Sequence, residues 1–169
     1  SVTLSGGANT IDLARSNSDS FIRLAATSLA RSSSATVNFT NTGGTLGGAG
    51  ADDSRVTFST TPTALLDNGI LAFASINGSD FATHGANGIV AATYASNNLA
   101  QASWGTTTNY TGDSATAVNL DASRNLNSLR LVNGADVDLG VHQLTVDSGG
   151  ILTTGAGGTT ISGTGILTT

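Results

Sequence analysis

Two histidines, eleven acidic residues and numerous serines are the side chains of this chain whose types could do chemistry. Nucleophilic catalysis needs a serine or cysteine held against an imidazole. There is no cysteine. His84 lies in a turn-rich phrase and His142 between apolar positions, and serines are so frequent that spacing assigns neither a partner. Both histidines read as solvated or corner residues. Glycoside hydrolysis needs two carboxylates facing one bond. Asp52 and Asp53 are adjacent, so on a strand they face opposite ways, whereas Asp136 and Asp138 share a face. That pair alternates with Val137 and Leu139, which makes it the polar outer side of a strand before it is an acid–base pair.

Metal and cofactor signals are thin. The stretch "GGAGADDSR" at 47–55 begins like the calcium-binding nonapeptide G-G-x-G-x-D-x-U-x. The aliphatic U position holds Ser54, and the motif occurs in one copy where successive turns would have to share ligands. It reads as a glycine-rich corner. No His/Cys cluster supports zinc. "GTLGGAG" has no following helix or lysine to cradle phosphate. Trp104, Tyr94 and Tyr110 could make a small sugar-stacking platform, but core or capping use is the stronger reading. Arg15, Arg23 and Arg31 recur every eight residues and could line one face. Six scattered arginines on a chain of net charge −5 give no basic stripe for nucleic acid. Asn38, Asn77 and Asn109 head N-x-S/T sequons, which matter only on a eukaryotic secretory route. No catalytic, cofactor-binding or metal residue is assigned, and no cofactor is expected.

The elements that would carry these residues are written in the composition. Every cation is Arg and every anion Asp; Lys, Glu, Cys and Met are absent. Lys and Glu suit exposed helix faces, so their absence argues against helices. Abundant Thr, Val and Ile with 22 glycines and one proline, Pro62, point to strands and tight turns. Short i, i+2 apolar pairs recur: Val2/Leu4, Ile11/Leu13, Ile22/Leu24, Val37/Phe39 and Val56/Phe58. Each pair puts two side chains on one face of a strand. Polar connectors such as 5–10 and 16–20 separate them. The nearest helical candidate is 21–33, where strand is the preferred reading.

A repeat shows towards the C-terminus. Leu129 and Ile151 stand 22 residues apart, as do Leu139 and Ile161, and Leu144 and Ile166. One segment, 129–150, reads as one coil and 151–169 as most of the next. A coil of about 20 residues cannot bury a core alone, but stacked copies can. The stretch 63–112 breaks the rhythm. It holds Asn68-Gly69, Asn77-Gly78 and Asn87-Gly88, hairpin signals that can equally form corners; Asn133-Gly134 is the fourth. The expected architecture is all-β: a right-handed parallel β-solenoid with a turn-rich elaboration in the middle. Residues 1–62 and 113–169 are its coils, and 63–112 is a hairpin-bearing insert docked on one continuous domain.

"LLDNGILAFASINGSDFATHGANGIVAATYA" followed by "NSLRLVNGADVDLGVHQLTVDSGGILTTG" resembles the autotransporter-associated β-strand repeat proteins, large surface or secreted bacterial proteins frequent in planctomycetes. The matching phrases are 78–90, 127–131 and 144–152, and the resemblance spans most of 36–169. It rests on the order of these phrases more than on any one of them. It implies a right-handed β-helix, export, and a structural or adhesive surface role, with no catalytic residues.

The expected function is accordingly non-enzymatic: an extracellular or cell-surface β-solenoid segment of an adhesin-like protein, or a fibre subunit assembling end to end. The partners would be other copies or the rest of a longer chain, together with a surface polysaccharide. Nucleic acid and membrane insertion are not expected. "SVTLSGG" and "TGILTT" read as strands that something continues, so the chain reads as a processed product or a segment. The alternative from another class is a carbohydrate-binding or carbohydrate-processing β-helix.

Overall fold

The i, i+2 apolar pairs of the N-terminal half all fall within strands. A computed structural model describes residues 1–15, 21–32, 34–95, 100–113 and 117–169; the polar connector at 16–20 lies outside them. The described chain is all-β, with mostly parallel pairing. Its helices are two single 3-10 turns, Thr63–Leu65 and Gln101–Ser103. It divides into two compact units, Ser1–Ala92 and Thr93–Thr169. The division falls inside the 63–112 stretch.

In the first unit the strands are β1 (Val2–Leu4), β2 (Ala8–Leu13), β3 (Ile22–Ala26), β4 (Leu29–Arg31), β5 (Thr36–Asn41), β6 (Ser54–Phe58), β7 (Leu71–Ile76), β8 (Asp80–Gly85) and β9 (Gly88–Ala91). The described residues of 21–33 thus hold two short strands and no helix; residue 33 lies outside them. Each of β1, β2 and β3 pairs in parallel with the third strand after it, β4, β5 and β6. β5 then pairs in parallel with β7. Apolar residues meet in register: Ile11 with Phe39, Phe39 with Ile76, and exposed Leu24 with buried Val56. Phe39, Val56, Leu71 and Ile89 are fully buried in this core, and each such side chain contributes about 1.5–3 kcal/mol.

The Asn-Gly signals resolve into both of their readings. Asn68-Gly69 closes a short antiparallel turn between Asp67 and Ile70. Asn77-Gly78 joins antiparallel β7 and β8, and Asn87-Gly88 lies in the turn between antiparallel β8 and β9. Asn133-Gly134 instead turns a corner between parallel strands of the second unit. Asn68, Asn77 and Asn133 all sit at positive φ, which asparagine tolerates better than other side-chain-bearing residues. Asn77 also ties its turn to the neighbouring strand: its Nδ2 donates to Asn41 Oδ1 at 3.2 Å, and its Oδ1 accepts the Asn41 N–H at 3.2 Å.

The second unit has β10 (Asn109–Asp113), β11 (Val118–Asn119), β12 (Arg124–Val132), β13 (Val137–Asp138), β14 (Gln143–Thr154), β15 (Ile161–Ser162) and β16 (Ile166–Thr168). Every pairing is parallel and joins a strand to the second one after it, giving sheets ordered β10-β12-β14-β16 and β11-β13-β15. Tyr110, Leu126, Leu129, Leu131, Val137, Leu144 and Val146 form the core.

The uniform 22-residue spacing holds for one of its three rungs. Leu129 does pair with Ile151. Ile161, however, pairs with Val137 rather than Leu139. Leu144 pairs with Leu167, and Ile166 with Gln143. A slip of one residue reverses a strand's faces; Ile166 is 62% exposed rather than inside, and on this last strand Leu167 is 40% exposed as well. The cause lies in the connections. A bulge between Leu126 and Ser128 shifts the β12–β14 register, and the connections between successive strands differ in length, so the offset changes from pair to pair.

Candidate functional site

The residues singled out by chemistry are mostly engaged by nearby backbone. Asp136 and Asp138 are exposed on either side of buried Val137. Asp136 Oδ1 accepts the Thr160 N–H at 2.8 Å and Asp138 Oδ1 the Gly140 N–H at 2.9 Å. Each carboxylate thus fastens a turn or connector. Asp53 does the same for the glycine-rich loop. Its Oδ1 accepts the Thr45 N–H at 2.7 Å and its Oδ2 the Gly50 N–H at 2.5 Å. These two amides, with smaller help from Arg55 and Arg15, hold the carboxyl below its usual range. The calcium-like phrase therefore folds around its own aspartate. Asp52 is exposed beside it. Among the described residues no three His or Asp side chains gather as a metal site.

His84 lies on β8 opposite Ile89, and its Nε2 is buried without a hydrogen-bond partner. His142 lies in the corner entering β14, its N–H bonded to Leu139 O at 2.9 Å. Around it the fold gathers residues that spacing did not connect. Ser123 Oγ accepts the Gln143 N–H at 3.0 Å. Asp121 is held by Arg124 Nη2 at 2.6 Å, which lowers its pKa, with a lesser contribution from His142. Serine and carboxylate thus lie in the connection before β12, beside the connection before β14 that carries the imidazole. The aspartate, however, is bound to an arginine, and the serine hydroxyl accepts from a backbone amide. The two links of an activated nucleophile, hydroxyl to imidazole and imidazole to carboxylate, are not formed.

The aromatic residues divide. Trp104 and Tyr110 pack with ring centroids 4.5 Å apart at 47°, and Tyr110 is buried in the core of the second unit. Burial, reinforced by Asp113, raises its phenol pKa. Tyr94 lies under the Arg130 guanidinium, 5.1 Å from ring centroid to Cζ. Tyr110, 2% exposed, does not offer its ring to a sugar. The buried pair Asn127 and Ser128, part of the "NSLRL" phrase, was not legible as a cluster. Both donate to Asn109 Oδ1, at 2.7 and 2.8 Å, from the strand registered beside it.

Arg15, Arg23 and Arg31 do not line one face. Arg15 follows β2, Arg23 is on β3 and Arg31 on β4, and these three strands belong to three different sheets. An eight-residue count runs across corners. The register instead sets Arg23 beside Arg55 on β6, 32 positions away in sequence and invisible to any local pattern. Arg55 lies over the ring of Phe21, 5.1 Å from its centroid, and Phe21 is 45% exposed. An open depression lined by Val2, Leu24, Ala25, Ala26, Thr27 and Ser59 offers no acidic, basic or imidazole side chain.

Comparison with family models, with curated proteins and with solved structures finds no match for this chain. No described helix is long and apolar enough to cross a membrane.

Proposed function

We propose that this chain is a non-enzymatic extracellular structural protein, a right-handed β-solenoid segment of an adhesin-like surface protein or a subunit of a surface fibre that assembles end to end. The observation that carries the reading is the pairing order. In the first unit each of the first three strands pairs in parallel with the third strand after it, and in the second unit every strand pairs with the second one after it. A chain wound into stacked coils produces that order, because each strand meets its counterpart one coil later. Right-handed crossing is the rule for parallel connections. The buried aliphatic rungs, the carboxylates used as backbone fasteners and the polar outer residues agree with a scaffold. Its partners would be further copies or the rest of a longer chain, with a surface polysaccharide as the adhesive target.

Sedimentation of native material tests this. The proposal expects assemblies, or a chain covalently continued, well above 16.7 kDa. A monodisperse 16.7 kDa particle that stays so at high concentration overturns the end-to-end part. Turnover in a polysaccharide screen that disappears in Asp136→Asn or Asp138→Asn overturns the non-enzymatic part.

A further inference from the structure

Arg23 and Arg55 are direct register partners in the parallel pair β3–β6. Their side chains leave the same face of that sheet about 4.8 Å apart, one strand spacing. Like charges directly opposite one another destabilise a sheet, so the other arginines show what the fold does elsewhere with such charges. Arg124 takes Asp121 at 2.6 Å. Arg31 lies 4.5 Å over the Phe73 ring and gives its Nε proton to Ala35 O at 2.7 Å. Arg130 lies over Tyr94.

In the β3–β6 pair Arg55 is held much as Arg31 is, with its Cζ 5.1 Å from the Phe21 ring centroid. Arg23 donates from Nε to Thr57 Oγ1 at 3.1 Å, and Arg55 from Nε to Gly48 O at 2.9 Å. Both acceptors are neutral. Among the described residues neither guanidinium has a carboxylate within ion-pair distance. Arg55 helps a little to lower the Asp53 carboxyl, but the two Asp53 oxygens accept from the Thr45 and Gly50 amides. The terminal nitrogens of both forks therefore remain to be used, on a face where Arg23 and Phe21 are exposed.

We propose that Arg23 and Arg55, bordered by Phe21, form a clasp for the carboxylate of a uronic-acid unit in an acidic polysaccharide. Planar guanidinium forks match a carboxylate in two-point geometry. Phe21, which carries the Arg55 guanidinium over its ring and is 45% exposed, offers its remaining open side to the apolar C–H face of a sugar. A uronate presents both features within one ring, which an aspartate side chain of another protein does not. Two cations on a chain of net charge −5 are too few to track a nucleic-acid backbone. The inference concerns one sheet face of the first unit and holds whether or not the chain builds a fibre.

The test titrates the full chain with an oligogalacturonate, with its neutral methyl ester, and with acetate. The acidic oligomer is expected to bind at least about tenfold more tightly than the ester or acetate. Arg23→Gln, whose side chain is exposed and whose melting temperature should not move, is expected to weaken binding about three- to tenfold. Arg55→Gln and Phe21→Ala should weaken it as well. Arg124→Gln removes the same charge from a paired site and should leave binding unchanged. No binding of the acid, equal binding of acid and ester, or equal loss in Arg124→Gln and Arg23→Gln overturns the proposal. Acetate or a DNA oligonucleotide binding as tightly as the uronate overturns the sugar assignment. So does a carboxylate-blocked dimer of the chain, which would make a second copy the occupant.

Discussion

Leu144 is fully buried and pairs in parallel with Leu167, while the neighbouring Ile166 pairs with Gln143 and faces solvent. Leu167 is itself 40% exposed at this edge strand, so the rung's buried weight rests on Leu144. Leu144→Ala should cost about 2–5 kcal/mol, the range for emptying a packed aliphatic site. Ile166→Ala should fall within about 0.5 kcal/mol of the parent, as surface changes do. Chemical denaturation of the two variants measures the difference. Equal losses would restore the uniform 22-residue register and contradict the one described.

Ser54 is buried in line with Val56 and Phe58, and its Oγ has no hydrogen-bond partner. A buried hydroxyl without a partner costs about 1–3 kcal/mol. Ser54→Ala should therefore raise the melting temperature. A clear drop instead would mean that a bound water or an alternative rotamer satisfies the hydroxyl.

Asp53 gives the glycine-rich loop an acid-sensitive fastening. Its folded carboxyl titrates below the 3.8 of the unperturbed group, chiefly because two backbone amides donate to it. A depressed carboxyl adds stability that is complete above the unfolded pKa and is lost as pH falls through the folded one. Protection of the Thr45 and Gly50 amides, relative to their intrinsic exchange, should hold at neutral pH and fall only below about pH 4. Asp53→Asn should exchange faster at neutral pH and lose the acid step. Persistence of the step in that variant would assign it to another group.

Two glycines at positive φ separate backbone strain from close approach. Gly69 (φ 88°) faces open space, whereas a Cβ on Gly88 (φ 96°) would run into the Val56 carbonyl. Gly69→Ala should cost about 1 kcal/mol, from conformation alone. Gly88→Ala should cost clearly more, because β9 would have to leave β6. Similar thermal shifts for the two would contradict the β6–β9 approach.

Much of this fold was legible because local signals matched the local geometry. The i, i+2 pairs became strands, Asn-Gly became turns, and Leu129 found Ile151. The failures share one cause. Leu139 with Ile161 and Leu144 with Ile166 were placed by a constant count, but a bulge and corners of unequal length change the offset from rung to rung. Sequence distance does not record how many residues a corner consumes. For the same reason Arg55 could not be linked to Arg23, nor Asn109 to Asn127 and Ser128. The calcium-like phrase at 47–55 was read as a glycine-rich corner, and Asp53 fastens that corner through the Thr45 and Gly50 amides, a use the motif does not record.

The central claim is that the strands are rungs of stacked coils that continue from one copy or segment to the next. Diffraction from oriented native material tests it most directly. Strands running across a long axis predict a meridional repeat near 4.8 Å along that axis. An oriented sample with its strand spacing across the axis, or native material that yields only the isotropic scattering of a compact 16.7 kDa particle, would contradict it.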